Sequence, residues 1–275
     1  MNHKSLDQET SLRFKFGKNW SNFLKMLTED RIKEAEHSLL TSLNKKDLKG
    51  LRFLDIGSGS GLFSLAARRL GAEVYSFDYD KDSVACTQYL KETYFPKDSL
   101  WTVTQGSALD LPYLKTLGNF DIVYSWGVLH HTGHMMAAFE NVSGLVNPRG
   151  FLFISIYNDQ GTASKRWTWI KKTYNQSGHF IKFLLATYTF FRQWTITFIK
   201  DFLKTGNPFK HWMNYKKNRG MSAYYDLIDW VGGYPFEVAT PELVFNFFKK
   251  RGFILEDLKT CAGGVGCNEY IFKKI

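Results

Sequence analysis

The residues best able to do chemistry fall in four places along the 275-residue chain. The first is Gly57, Ser58, Gly59, Ser60 and Gly61, preceded by Asp55 and followed, 21 residues after Gly57, by Asp78. Glycines take positive φ and let backbone approach a ligand closely, and an acid at that distance is placed to accept hydrogen bonds from a ribose diol. The second is the pair His130 and His131, whose ordinary pKa of about 6.5 suits proton removal near neutral pH. The third is Tyr157 with Asn158. The fourth is YYDLIDWVGGYPFE, which offers Asp226, Asp229, Trp230, Tyr234 and Glu237 around Gly232 and Gly233. Each has a structural alternative: a glycine turn tightens a strand-to-helix junction, a histidine pair packs and caps a helix, an aromatic linker fills space.

The elements that must position them follow from periodicity. Apolar runs predict strands near Arg52 to Ile56, Glu73 to Phe77, Leu100 to Gln105, Phe120 to Ser125 and Phe151 to Tyr157, with helices near Gly61 to Leu70, Lys81 to Tyr94 and His134 to Val146 between them. Such alternation argues for a parallel sheet covered by helices on both faces. Asn147-Pro148-Arg149-Gly150 reads as the break before the fifth strand. Residues 19–43 carry Phe23, Leu27, Ile32, Ala35, Leu39 and Leu43 at helical spacing, which predicts one or two helices ahead of the first strand. Pro241 to Arg251 reads as a helix capped by Thr240 with proline at its first position. Phe253 to Thr260 and Asn268 to Lys273 read as two strands around Gly263-Gly264-Val265-Gly266.

Composition narrows the class. Hydrophobic residues make up 44% of the chain, enough for a core, and aromatic residues an elevated 17%. Cys86, Cys261 and Cys267 form no CxxC pair and no metal spacing, so no metal site is expected and a reducing compartment fits. The polar N-terminal stretch lacks the apolar core of a signal peptide, and no run of 18 uncharged apolar residues occurs, so a cytoplasmic location is expected. The net charge of +10 is concentrated: residues 158–220 hold twelve Lys or Arg against Asp159 and Asp201, and the rest balances at 24 against 24.

DIGSGSG, with Asp55 inside it, resembles the first motif of class I S-adenosylmethionine-dependent methyltransferases, Asp78 matches their ribose-binding acid, and Val128-Leu129-His130-His131 resembles a stretch that lines the junction of cofactor and acceptor in those of the small-molecule, ubiquinone-biosynthesis-like kind. A nicotinamide dinucleotide pattern, GxGxxG, would need a glycine where Leu62 stands. The resemblance covers Leu51 to Tyr157 and Thr240 to Ile275. It implies a Rossmann-like α/β fold: a seven-stranded, mostly parallel sheet with an antiparallel C-terminal hairpin, N-terminal helices, and a helical insertion after strand 5. The implied domains are 1–50 as a helical segment over the cofactor, 51–157 with 240–275 as the methyltransferase core, and 158–239 as a basic, aromatic-rich substrate lid.

For the cofactor, S-adenosyl-L-methionine, the resemblance implies contacts from Asp55, Gly57, Ser58, Gly59, Gly61 and Asp78, with Tyr79 stacking on adenine. Gly106-Ser107-Ala108-Leu109-Asp110-Leu111-Pro112 is similar to a GDAxDLP motif. There Ser107 would meet the adenine amine in place of the usual acid, and the Ala108 amide a ring nitrogen. Phe16-Gly17-Lys18-Asn19-Trp20 resembles a segment that closes over the methionine end, so Phe16 and Trp20 join the set, and Trp126 would wall that end. Candidate catalytic residues are His130, His131, Tyr157 and Asp229. Ser125 to Val128 is neither the Asn/Asp-Pro-Pro-aromatic segment of amine-directed DNA enzymes nor a Pro-Cys nucleophile, which turns the reading away from DNA bases.

The implied function is methyl transfer to a small, anionic, phosphate- or carboxylate-bearing metabolite, on oxygen rather than nitrogen. The basic insertion leaves alternatives open. It is a lid over an anionic acceptor, a peripheral membrane surface serving a lipid or prenyl substrate, a grip on RNA, or a helical cap with a solvated basic face. A non-catalytic cofactor-binding protein is a further alternative.

Overall fold

A computed structural model describes residues 14, 17, 20, 24, 27–219 and 223–275. Seven strands form one sheet: β1 (Arg52–Ile56), β2 (Glu73–Asp78), β3 (Trp101–Gln105), β4 (Phe120–Trp126), β5 (Val146–Tyr157), β6 (Phe253–Lys259) and β7 (Cys267–Lys274). Their order is β3-β2-β1-β4-β5-β7-β6, with β7 antiparallel to both neighbours and the other pairs parallel. The expected mostly parallel sheet and antiparallel end hairpin are both present.

Period-two alternation decides what each strand shows to each face. On β1, Phe53 enters one buried cluster and Leu54 and Ile56 the other. The Phe53 side is covered by α1 (Glu29–Ser42), α2 (Leu62–Arg69) and α3 (Lys81–Tyr94), through Ile32, Leu39, Leu65 and Leu90. The Leu54 side is covered by α4 (Leu111–Thr116), α5 (Met135–Gly144) and α10 (Pro241–Lys249), through Leu114, Phe139, Val142, Val244 and Phe248. Helix α10 starts as its sequence demands: the Thr240 hydroxyl accepts from the Leu243 amide, with Pro241 at the first position.

The fifth strand corrects the sequence expectation. It begins at Val146, before the expected Phe151, because the Asn-Pro-Arg-Gly stretch forms a bulge and not a terminating turn. Phe120 pairs Val146 while Ile122 pairs Phe151, and Arg149 takes φ +65. Helix α4 was not expected; Asp110 starts it by accepting from the Tyr113 amide, with Pro112 in its first turn.

Residues after β5 form α6 (Thr162–Gln176), α7 (His179–Thr205), α8 (Lys210–Arg219) and α9 (Ala223–Gly232). A third buried cluster, Trp167, Ile170, Val231 and Phe236, joins α6 and α9 to Tyr157 at the end of β5. The chain returns beside its exit: the Ala239 amide donates to the Tyr157 carbonyl at 3.0 Å, and the Asp159 amide to the Ala239 carbonyl at 3.1 Å.

Candidate functional site

The glycine turn stands at the carboxyl end of β1, where β2 and β4 lead away on either side, the crevice in which open α/β sheets bind ligands. Gly57, Gly59 and Gly61 all take positive φ, +75, +55 and +81. A Cβ on Gly57 would lie 2.5 Å from both methyls of Val128 in the β4 loop, and one on Gly61 would lie 2.8 Å from the Thr87 Cα. The turn is pinned by the Gly57 and Ser58 amides, which donate to the Phe77 carbonyl, and by the Ser58 and Thr87 hydroxyls at 2.8 Å.

Asp78 ends β2 and faces this turn. Its carboxylate accepts from the Gly59 amide at 3.0 Å and the Asp80 amide at 2.8 Å. A carboxylate offers about four lone-pair sites, more than these two amides use. Asp55 has a different place. It shares the Phe53 face, is 3% exposed, and accepts from the Ser64 hydroxyl at 2.5 Å. Ser64 accepts in turn from Ser76, and Ser76 from the Trp101 indole. Burial, with Asp78 nearby, pushes the Asp55 carboxyl up to about 7. Asp55 therefore anchors the start of α2 beneath the turn.

Around the crevice, Tyr79 and Trp126 are exposed. Ser107 accepts from the Leu109 amide, and the Ala108 carbonyl accepts from Asn141. Trp20 lies against the glycine turn, its indole 3.1 Å from where a Gly59 Cβ would stand. The Gly17 amide donates to Asp80 at 3.1 Å, and the Phe14 amide to the Tyr234 carbonyl at 2.9 Å. The N-terminal segment thus touches the β2 side, the turn and the end of the insertion. Phe16 lies outside the described residues.

The histidines separate into two roles. His130, on the single helical turn Leu129–His131, is fully buried, and its Nδ1 accepts from the Tyr157 amide at 3.3 Å. Burial, reinforced by His131 and Lys171, drives its pKa well below the usual histidine range, so it is neutral. His131 is half-buried, with Nδ1 2.6 Å from the Pro235 carbonyl. Donation from Nδ1 leaves the lone pair of the neutral ring on Nε2. Tyr157 packs on both rings, with centroids at 4.1 and 5.5 Å, and on Trp230 and Phe236 at 5.6 and 5.1 Å. Glu237 is drawn out of the acceptor set: its carboxylate accepts from the Met135 amide at 3.0 and 3.1 Å and so caps α5.

Lys171 is the residue that sequence reasoning missed. It is fully buried, donates Nζ to the Trp230 carbonyl, and sits over the Trp230 and Phe236 rings at 4.2 and 4.8 Å. Burial lowers its pKa to about 7, opposed by Asp229. Its spacing from Trp167 and its adjacency to Ile170, both buried, placed it on the inner stripe of α6. Asp226 instead accepts from the Tyr215 hydroxyl beside a cavity of about 210 Å³ inside the insertion, lined by Trp194, His211 and Leu227, away from the glycine turn.

The residues present fit S-adenosylmethionine: a three-glycine cradle with no room for a Cβ at Gly57 or Gly61, and a strand-end acid bonded to the Gly59 amide. No group of His, Cys, Asp and Glu suited to a metal ion occurs among the described residues.

Known proteins agree. A family model described as a methyltransferase domain matches residues 27–194. Ribosomal protein L11 methyltransferase of Helicobacter hepaticus is 29% identical over 130 residues, 44% of this chain and 40% of that protein. Ubiquinone biosynthesis O-methyltransferase of Parvibaculum lavamentivorans is 28% identical over 134 residues, 46% of this chain and 49% of that protein. The chain thus spans less than half the length of these curated relatives. Magnesium protoporphyrin IX methyltransferase from Synechocystis PCC 6803, crystallised with SAH, has the same fold, with a TM-score of 0.51 and 16% identity over 89% of this chain and 82% of that one. Since the family model covers more than half of the sequence, the chain belongs to the methyltransferase domain family, among the class I S-adenosylmethionine-dependent methyltransferases.

Proposed function

We propose that the chain methylates an oxygen of a small metabolite bearing a phosphate or carboxylate. The observation that carries this reading is the meeting of His131 and Tyr157, from the core, with Trp230 and Phe236, from the insertion and its return, in one aromatic cluster beside the cofactor crevice. Asp78 would hold the ribose hydroxyls, Gly57, Ser58, Gly59 and Gly61 the amino-acid end, Tyr79, Ser107 and Ala108 the adenine, and Trp20 and Trp126 the sulfonium side. When bound, the cofactor supplies an electrophilic methyl group. The chain must align the acceptor, exclude water and accept a proton.

In this reading His131 Nε2 takes the hydroxyl proton, with the ring held by Pro235 and supported by neutral His130. Tyr157 orients the acceptor. Asp229 is a positioning residue that acts through Lys171. Helices α6 and α9 form the lid, and exposed Lys165 and Arg166 at the start of α6 attract the anion. The relative named for ubiquinone O-methylation supports oxygen as the methylated atom.

The test pairs calorimetric binding of S-adenosylhomocysteine with methyl transfer from labelled S-adenosylmethionine to a panel of hydroxylated phosphates and carboxylates. His131→Asn is expected to lower kcat by roughly 100-fold and leave product binding unchanged. Full activity in that variant removes His131 from the proton path. Binding without transfer to any acceptor supports a non-catalytic protein.

A further inference from the structure

The outer half of the insertion has no part in the site described above, and its surface is unlike the rest of the molecule. Helix α7 is 27 residues long and buries Thr189 and Trp194 among its neighbouring helices. A different side carries Phe180, Leu184, Tyr188, Phe191, Ile199 and Phe202, all exposed, the three phenylalanines at 73, 60 and 58%. Phe180, Phe191 and Phe202 stand eleven residues apart, as do Tyr188 and Ile199. Eleven residues are close to three whole helical turns, so the stripe runs straight along the helix for about 33 Å, whereas a seven-residue repeat would wind around a partner helix. Phe183 on α7, Trp169 on α6 and Met213 on α8 are exposed as well.

In helical phase Arg192 lies at the edge of the stripe, while Lys200 and Lys204 occupy the opposite, polar side of α7; these, with Lys172 on α6 and Lys210 on α8, are exposed, and Asp201 is the one acid of α7. The stretch 158–220 as a whole carries +10. Long basic stems let apolar surface sink while the charge stays at the level of phosphates. Among the described residues no helix is long and apolar enough to cross a membrane.

We propose that α7 is a peripheral docking face for an anionic lipid bilayer, with the straight stripe at the boundary of headgroups and acyl chains, Arg192 at its edge on lipid phosphates, and the basic polar side of the insertion drawn to the negative surface. Three features select this occupant. The stripe is straight, as a plane requires. Its members include Leu184, Ile199 and neighbouring Leu203, which fill hydrocarbon but stack on no nucleobase. The charge is complementary to anionic headgroups.

The experiment is flotation of the full chain with vesicles of equal parts phosphatidylglycerol and phosphatidylcholine, against phosphatidylcholine alone, without cofactor. The chain is expected to float with the anionic vesicles only. Phe180→Glu combined with Phe191→Glu, at exposed positions, is expected to weaken partitioning at least about tenfold while the Tm and S-adenosylhomocysteine binding stay unchanged. Absence of flotation, or flotation undiminished in the double variant, overturns the proposal. So does transfer of the same variant effect to RNA retention or to a monomer–dimer equilibrium, which would give the stripe a different occupant. Product binding is measured separately, so failure here leaves the cofactor assignment intact.

Discussion

The cofactor crevice and the insertion are built on different principles. In the crevice the working parts are backbone: three glycines at positive φ, amides turned to Phe77 and Asp78, and one acid at a strand end. Where the insertion meets the core they are side chains: rings packed on rings between Tyr157, Trp230, Phe236 and Trp167, with one lysine buried among them. Backbone geometry admits few residue types, so it leaves a motif. Ring packing accepts many residues of suitable size, so it leaves only composition and periodicity.

The largest effect should come from breaking the backbone side. Gly57→Val places a branched side chain at φ +75 with its Cβ 2.5 Å from Val128, and loss of measurable S-adenosylhomocysteine binding is expected by calorimetry. Asp78→Ala removes the acceptor bonded to the Gly59 and Asp80 amides, and roughly 10- to 100-fold weaker binding is expected from one or two charge-assisted hydrogen bonds. Unchanged binding in both variants would move the cofactor elsewhere.

The side-chain half breaks differently. Lys171 titrates at about 7 in the folded chain because burial disfavours its charge, against an ordinary 10.5. Between those values the unfolded chain binds more protons than the folded one. Stability therefore rises with pH across that window, by at most about 1.4 kcal/mol per pH unit, and falls as pH drops toward 7. Lys171→Met keeps the volume and removes the charge, so it should flatten this dependence and raise the Tm near neutral pH, read by thermal unfolding across the window. A slope identical to wild type would contradict burial of the ammonium.

The same contrast explains what the sequence revealed. Every strand was legible because alternating apolar runs between glycine and proline breaks have few other readings, and the glycine turn with Asp78 was legible because its spacing is fixed by one turn, one helix and one strand. The start of β5 was not, because Asn147-Pro148-Arg149-Gly150 is as compatible with a bulge as with a turn; pairing to β4 decides, and that is tertiary. Asp55 stood inside the motif, yet its carboxyl is buried on the Phe53 side and bonded to Ser64, which strand alternation on β1 could have shown. Lys171 was hidden among twelve basic residues of the insertion, although its helical phase with Trp167 separates it from its solvent-facing neighbours.

The smallest effect tests the joint between the two regions. Glu237 belongs to the insertion's return, but both its carboxylate oxygens accept from the first amide of α5, and its own amide donates to the His130 carbonyl at 2.9 Å. Two residues earlier, the Pro235 carbonyl holds His131 Nδ1. Glu237→Ala removes a cap and a negative charge at a helix N-terminus, a loss of about 1 kcal/mol by chemical denaturation. Were Glu237 only a cap, the effect would stop there. Because the segment it anchors also fixes the His131 ring, methyl transfer should fall by more than that loss of stability explains, with S-adenosylhomocysteine binding unaltered. Glu237→Gln, which keeps an acceptor at the same position, should restore most of the turnover and little of the charge effect. Equal turnover in Glu237→Ala and wild type would mean that the acceptor site is organised by the core alone, and that the return segment only covers it.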